Sequence, residues 1–182
     1  MKKLLRYLLM TVMTVCFSLS CLSAEAATVA LLPLINNVQG DEVATQVFYK
    51  EAINAMNAQK GFMMVENDRL TAVIEAVNAG ENVPKEAAAA KIAKDGNVDI
   101  VIAMQLDKIE DETLFSSSED KIRVNIKGKV AFYNRLTSVY SIREINEETL
   151  TPEVFSSRWD LPHEEWGKVV RKEIKRALSA KK

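Results

Sequence analysis

The chain has 182 residues, with 24 Lys and Arg against 25 Asp and Glu, one His and two Cys, for a net charge of −1. That balance excludes a strongly basic nucleic-acid binder, and one histidine leaves little from which to build a zinc site. With only six Gly and four Pro, fibrous and low-complexity chains are excluded too.

Residues 1–26 read as an export signal. Lys2, Lys3 and Arg6 form a positive leader, Leu8 to Leu22 is apolar with scattered Ser and Thr, and Ala24-Glu25-Ala26 offers small residues where a signal peptidase reads them. The apolar run is short and interrupted for a spanning helix, which needs about 20 strongly apolar residues. No later segment approaches that length, so no integral membrane segment is expected after cleavage. Cys21 offers a second fate, a lipid anchor at the outer membrane. Ser20 is the small residue such a signal places before its modified cysteine, but Leu19 stands one place late, and Val15 before Cys16 fits worse. The expectation is cleavage after Ala26 and a soluble periplasmic product, residues 27–182, forming a single domain. Losing three basic residues and one acidic residue leaves 21 against 24, a net charge of −3. Both cysteines leave with the leader, so no disulfide or Cys–metal site is expected.

Ala27 to Leu34 is a continuous apolar run, the pattern of a strand covered on both faces. Asp41 caps an expected helix reaching about Lys60, with Val43, Ala44, Val47, Phe48, Ala52, Ala55 and Met56 as its apolar stripe and Gly61 ending it. Phe62 to Val65 is a short strand. Asn67 caps a helix carrying Leu70, Val73, Ile74 and Val77 and ended by Gly80. Pro84 opens a third helix, Lys85 to Lys94, before a buried strand over Val98 to Leu106.

From Lys121 the period changes. Ile122, Val124, Ile126, Val130 and Phe132 alternate with Lys121, Arg123, Asn125, Lys127 and Lys129, the pattern of a long half-exposed strand. A turn over Asn134 to Thr137 returns the chain as Val139 to Ile145, and a last helix runs from Pro162 to about Leu178. There Trp166, Val169, Val170, Ile174, Ala177 and Leu178 form the buried stripe, and Arg171, Lys172, Lys175 and Arg176 sit where the helix dipole favours cations. The sum is an α/β fold: a three-layer or two-layer sandwich with a mixed central sheet, βαβαα then β, a long β-hairpin and a C-terminal helix.

Several segments resemble a known family. Thr28-Val-Ala-Leu-Leu-Pro-Leu34 is similar to the opening strand of the TolB amino-terminal and curli-secretion-channel-like (CsgG-type) periplasmic domains. Phe62-Met-Met-Val-Glu-Asn-Asp-Arg-Leu70 resembles their second strand and its exit. Ala88 to Ala103 resembles the block entering their third strand, and Arg135-Leu136 and Thr137 echo their hairpin turn, without its Gly. The resemblance covers most of residues 28–145 and implies this fold and an envelope-assembly setting with envelope proteins, or further copies of the chain, as partners. The curli channel itself is acylated and adds membrane-spanning hairpins. Here the only obvious insertion is Glu110 to Asp120, acidic and serine-rich, so the pore is not implied.

Candidate chemistry is sparse. His163 reads as an exposed first-turn residue rather than a base beside Glu164 or Glu165, and no Gly-x-Ser-x-Gly elbow is present. Glu110, Asp111 and Glu112 read as a solvated loop, and Glu144, Glu147 and Glu148 likewise, since none follows a calcium-loop spacing. No catalytic residue, metal or cofactor is expected. Two surfaces remain. The row Lys121, Arg123, Lys127 and Lys129 lies on a hairpin expected to offer a strand edge, and suits protein partners; without interleaved aromatics it does not suit nucleic acid. Asn36, Asn37, Asp41 and Asn67 lie in loops where an α/β sheet could hold a small polar ligand. A non-enzymatic envelope protein is therefore the first reading, a periplasmic ligand-binding domain the second and a hydrolase the third.

Overall fold

A computed structural model describes residues 26–65, 70–77, 82–115, 120–152 and 160–179. The export signal with Cys21, the Asn67 cap, Gly80 and Trp159 lie outside the described residues. The elements are β1 (Ala27–Leu31), β2 (Ile35–Asn36), α1 (Glu42–Asn57), β3 (Phe62–Val65), α2 (Thr71–Ala76), α3 (Glu86–Asp95), β4 (Ile100–Leu114), β5 (Lys121–Asn134), β6 (Val139–Pro152) and α4 (Leu161–Ser179). They form a six-stranded sheet in the order β3-β1-β4-β5-β6, with β2 paired to the side of β4. β1 runs parallel to β3 and β4, and β4, β5 and β6 are mutually antiparallel. The mixed sheet expected from the sequence is therefore present.

Alternation divides the side chains between two cores. Val29, Leu31, Ile100, Ile102, Met104, Ile122, Val124, Ile126 and Phe132 point to the face covered by α1 and α4. Ala30, Leu32, Val101, Ala103, Ala131 and Tyr133 point to the other, where Leu70 and the α3 residues Ala89, Ile92 and Ala93 close over them. Leu31 and Ile102 are register partners on neighbouring parallel strands, both at most 2% exposed. The continuous apolar runs of β1 and early β4 follow from this double coverage.

The second layer of helices ends partway along the sheet. Beyond Lys129 toward Lys121, the β5 residues on the face opposite α4 are polar and partly or fully exposed, and no described helix covers them. Among the described residues the near half, where β1 sits, has three layers, and the far half has two. Both sandwich types expected from the sequence thus occur in one sheet.

Two boundaries differ from expectation. β4 continues to Leu114, so Glu110, Asp111 and Glu112 lie in a strand rather than a loop. β6 continues to Pro152, so Glu144, Glu147 and Glu148 are strand residues as well. The cause in β4 is a bulge at Asp107, between Leu106 paired to Gly128 and Lys108 paired to Lys127. One extra residue exchanges the two faces. Met104 and Leu106 face the α4 side before the bulge and Ile109, against Ile126, faces it afterwards. No single alternating pattern spans the strand.

Capping follows the sequence closely at α1, where Asp41 Oδ1 accepts a hydrogen bond from the Ala44 amide at 3.0 Å, a cap worth about 0.5–2 kcal/mol. Gly61 turns the chain into β3 with φ +85°. Along the same face, α1 and α4 run side by side in the same direction, with His163 beside Asp41, Trp166 bonded to Ala44 and Arg171 paired with Glu51. Gly167 permits this approach, since an added Cβ would stand 3.1 Å from Glu51 Cγ. Among the described residues no helix is long and apolar enough to cross a membrane.

Candidate functional site

β5 supplies the basic row, but it is a central strand, with β4 on one side and β6 on the other. Period-2 alternation placed Lys121, Arg123, Lys127 and Lys129 on one face correctly. It could not show which strands lie beside them, and they do not stand on the edge expected of the hairpin. Acidic residues flank them instead. Arg123 reaches Glu112 of β4 and Glu148 of β6, each at 3.3 Å, and Lys129 stands 3.8 Å from Glu144. Lys108 pairs with Glu110 at 2.6 Å. Pairs this exposed contribute about 0–1 kcal/mol each. The face is thus a mixed-charge ladder on three long strands rather than a uniformly cationic one.

The edge itself belongs to β6. Among the described residues its fourteen positions pair only with β5. Leu150, opposite Arg123, faces the helix-free side of the far half and is 51% exposed; Ile142, opposite Ala131, lies on the α3 side nearer the β5–β6 turn and is 46% exposed; and Phe115, just past β4 at the far end, is 84% exposed.

The loop residues are brought together in part, and their polar atoms go to the fold. Asn36 donates to the Asp41 carbonyl at 2.7 Å and accepts from the Val38 amide at 3.1 Å. Asp41 accepts from Ala44 and faces His163 Nε2 at 3.0 and 3.1 Å through its two oxygens. Asn37 turns away to donate to Asp107 at the bulge, at 2.8 Å, where Gln105 also donates at 2.5 Å. Asn67 lies outside the described residues. His163 is thus not the exposed residue expected: its side chain is 23% exposed, faces Asp41 and joins the start of α4 to the cap of α1. Its partner is 122 residues away, beyond the reach of any local pattern.

Three further polar arrangements have no local sequence signal. Asp99 accepts from the Thr28 amide and hydroxyl at 3.0 and 2.9 Å and from Arg135 at 2.9 Å, tying β1, β4 and the β5–β6 turn together at the near end. Burial opposes the charged form of Asp99, but the Thr28 amide, the Arg135 guanidinium and the Thr28 hydroxyl together outweigh it, so the carboxyl lies below its ordinary range. Glu173, 3% exposed, is held between Arg143 and Arg176, and Glu165 takes bonds from Thr149 at 3.2 Å and Lys168 at 2.5 Å. On an amphipathic helix both glutamates read as solvent-facing; β6 extends beneath them instead.

Between α1 and α4 runs a shallow groove with two recesses. One, of about 350 Å³, is bordered by Val43, His163 and Gly167. The other, of about 540 Å³, is bordered by Ala55, Ala58, Arg171, Lys172, Lys175 and Arg176. Among the described residues no group of three or more His, Cys, Asp or Glu is arranged to hold a metal ion. The described residues present three surfaces: a free strand edge, a charged sheet face and a cationic helix end.

No protein-family profile and no curated protein matches the chain. Among solved structures it is similar to the hypothetical protein CT253 from Chlamydia trachomatis, with a TM-score of 0.54 and 12% identity over 85% of this chain and 98% of that one. Weaker likenesses are to lipoprotein GNA1162 from Neisseria meningitidis, with a TM-score of 0.42 and 13% identity over 81% of this chain and 97% of that one. A minor lipoprotein from Acinetobacter baumannii gives 0.41 and 9% over 85% and 94%. The chain thus shares its α/β fold with CT253, and the two lipoproteins are too distant in shape to add to that.

Proposed function

We propose that this is an exported cell-envelope protein that performs no catalysis and acts by binding other envelope proteins through its far half. The observation that carries this reading is the long free edge of β6 beside a sheet face that no described helix covers. An incoming strand would satisfy the backbone groups of that edge, while the Arg123, Lys127 and Lys129 ladder would orient it by charge. Leu150 and Phe115 supply exposed apolar area in the far half, and Ile142 extends it along the β6 edge toward the near half. The export signal over residues 1–26 supports the compartment, with Cys21 as the route to an anchored form, and the resemblance of residues 28–145 to TolB- and curli-channel-like domains supports envelope assembly as the setting.

Ile142→Asp combined with Leu150→Asp tests the surface. Both side chains face water, so thermal unfolding should be unchanged, while capture of partners from a native envelope extract should fall about tenfold or more. Undiminished capture by the folded variant would reject the surface, and a turnover lost on replacing His163 would reject the non-catalytic reading.

A further inference from the structure

The end of the domain opposite to the free far half has a chemistry of its own. Ala27 begins β1 there, hydrogen-bonded through its amide to the Gly61 carbonyl at 2.9 Å, so the export leader enters the domain at this end. The same end gathers the last turns of α1, α3 and α4 and the β5–β6 turn. Lys60 follows α1, Lys94 lies in the last turn of α3 and Lys175 near the end of α4. Among the described residues none of these three has a carboxylate partner. The carboxylates nearby are already answered: Asp95 by Lys91 at 2.5 Å, Asp99 by Arg135, and Glu173 by both Arg143 and Arg176. Among these groups the unanswered charges are cationic, although the chain as a whole is slightly acidic. At the tip of the β5–β6 turn Leu136 is 63% exposed, and Val139 beside it is 49% exposed.

We propose that this end docks on an anionic membrane surface, with Lys60, Lys94 and Lys175 against acidic headgroups and Leu136 entering the interface. The choice of a membrane rests on where the chain leads. Five residues lie between Cys21 and Ala27, and the six steps span at most about 20 Å. A leader held in the membrane by its apolar run, or by an acyl group on Cys21, would bring this end to the bilayer and leave the β6 edge and the far half facing away from it. Juxtamembrane cations and an exposed apolar tip are what such a surface attracts, each cation strengthening binding about fivefold.

The test uses residues 27–182, the product of the expected cleavage, so that no acyl group contributes, and sedimentation with vesicles of phosphatidylglycerol in phosphatidylcholine or of phosphatidylcholine alone. Binding should be confined to the anionic vesicles and weaken with salt. Lys60→Glu, Lys94→Glu and Lys175→Glu together should weaken it about 100-fold without altering the circular dichroism spectrum, because they break no ion pair among the described residues. Lys127→Glu, on the far half, should leave vesicle binding as it is. Equal binding to both vesicle types, no binding at all, or undiminished binding by the folded triple variant would each overturn the proposal.

Discussion

At the near end the sheet is sealed on both faces by helices; along its far half the described helices seal β4, β5 and β6 on one face only, and the other carries a ladder of charge. The change falls at Asp107, where the bulge exchanges the faces of β4, and at Gly128, the residue of β5 opposite it. A Cβ on Gly128 would lie 2.1 Å from the Gln105 carbonyl oxygen, so the backbone approach at the bulge leaves no room for a side chain. The comparison separates two kinds of constraint on one set of strands. The near half is specified by volume on both faces, and the far half by volume on one face and by register and charge on the other.

The comparison breaks most visibly if core and ladder respond alike to truncation. Ile102→Ala, on the near half, should cost about 2–5 kcal/mol in denaturant melts, whereas Arg123→Ala in the ladder should cost about 1 kcal/mol or less; comparable losses would mean the far face is packed after all. At the junction, Gly128→Ala should cost about 1–3 kcal/mol, because a carbonyl oxygen rather than a flexible side chain blocks the new methyl.

Asp99 sharpens the contrast at the near end. Its folded-state carboxyl lies below the ordinary range, so its stabilisation is complete above the usual Asp titration and is lost as pH falls through the folded value. Acid titration of stability should therefore show a steeper loss for the wild type than for Asp99→Asn, which should already be weaker at neutral pH by about 1–3 kcal/mol. The smallest effect is a gain. Ser138, at φ +54°, occupies the left-handed region in the β5–β6 turn, and Ser138→Gly should raise stability by up to about 1 kcal/mol.

The two halves also differ in how far they can be read in advance. Runs such as Val29 to Leu32 and Ile100 to Ala103 are apolar because both faces are covered, and that leaves a direct mark in the residue order. The alternation from Lys121 to Phe132 likewise marks which side chains share a face. What alternation lacks is neighbours: β5 reads the same whether it is an edge or lies between two strands, so the basic row could not be distinguished from a free edge. β4 beyond Leu106 was hidden because the bulge breaks the period where the residues become charged. The candidate loop gave up Asp41 as a cap, but its second task, holding His163, depends on a helix at the other end of the chain.

The side-by-side packing of α1 and α4 has a consequence in time as well as in space. The first long helix completes its core only when the last one arrives, through contacts such as Trp166 to Ala44, 122 positions apart. Contacts this remote in sequence make folding wait for nearly the whole chain to emerge. Until then Phe48, Ile102 and Ile126 have no complete enclosure, and the polypeptide remains threadable. For a chain whose first residues read as an export address, late closure is the order of events that passage through a narrow translocation channel requires.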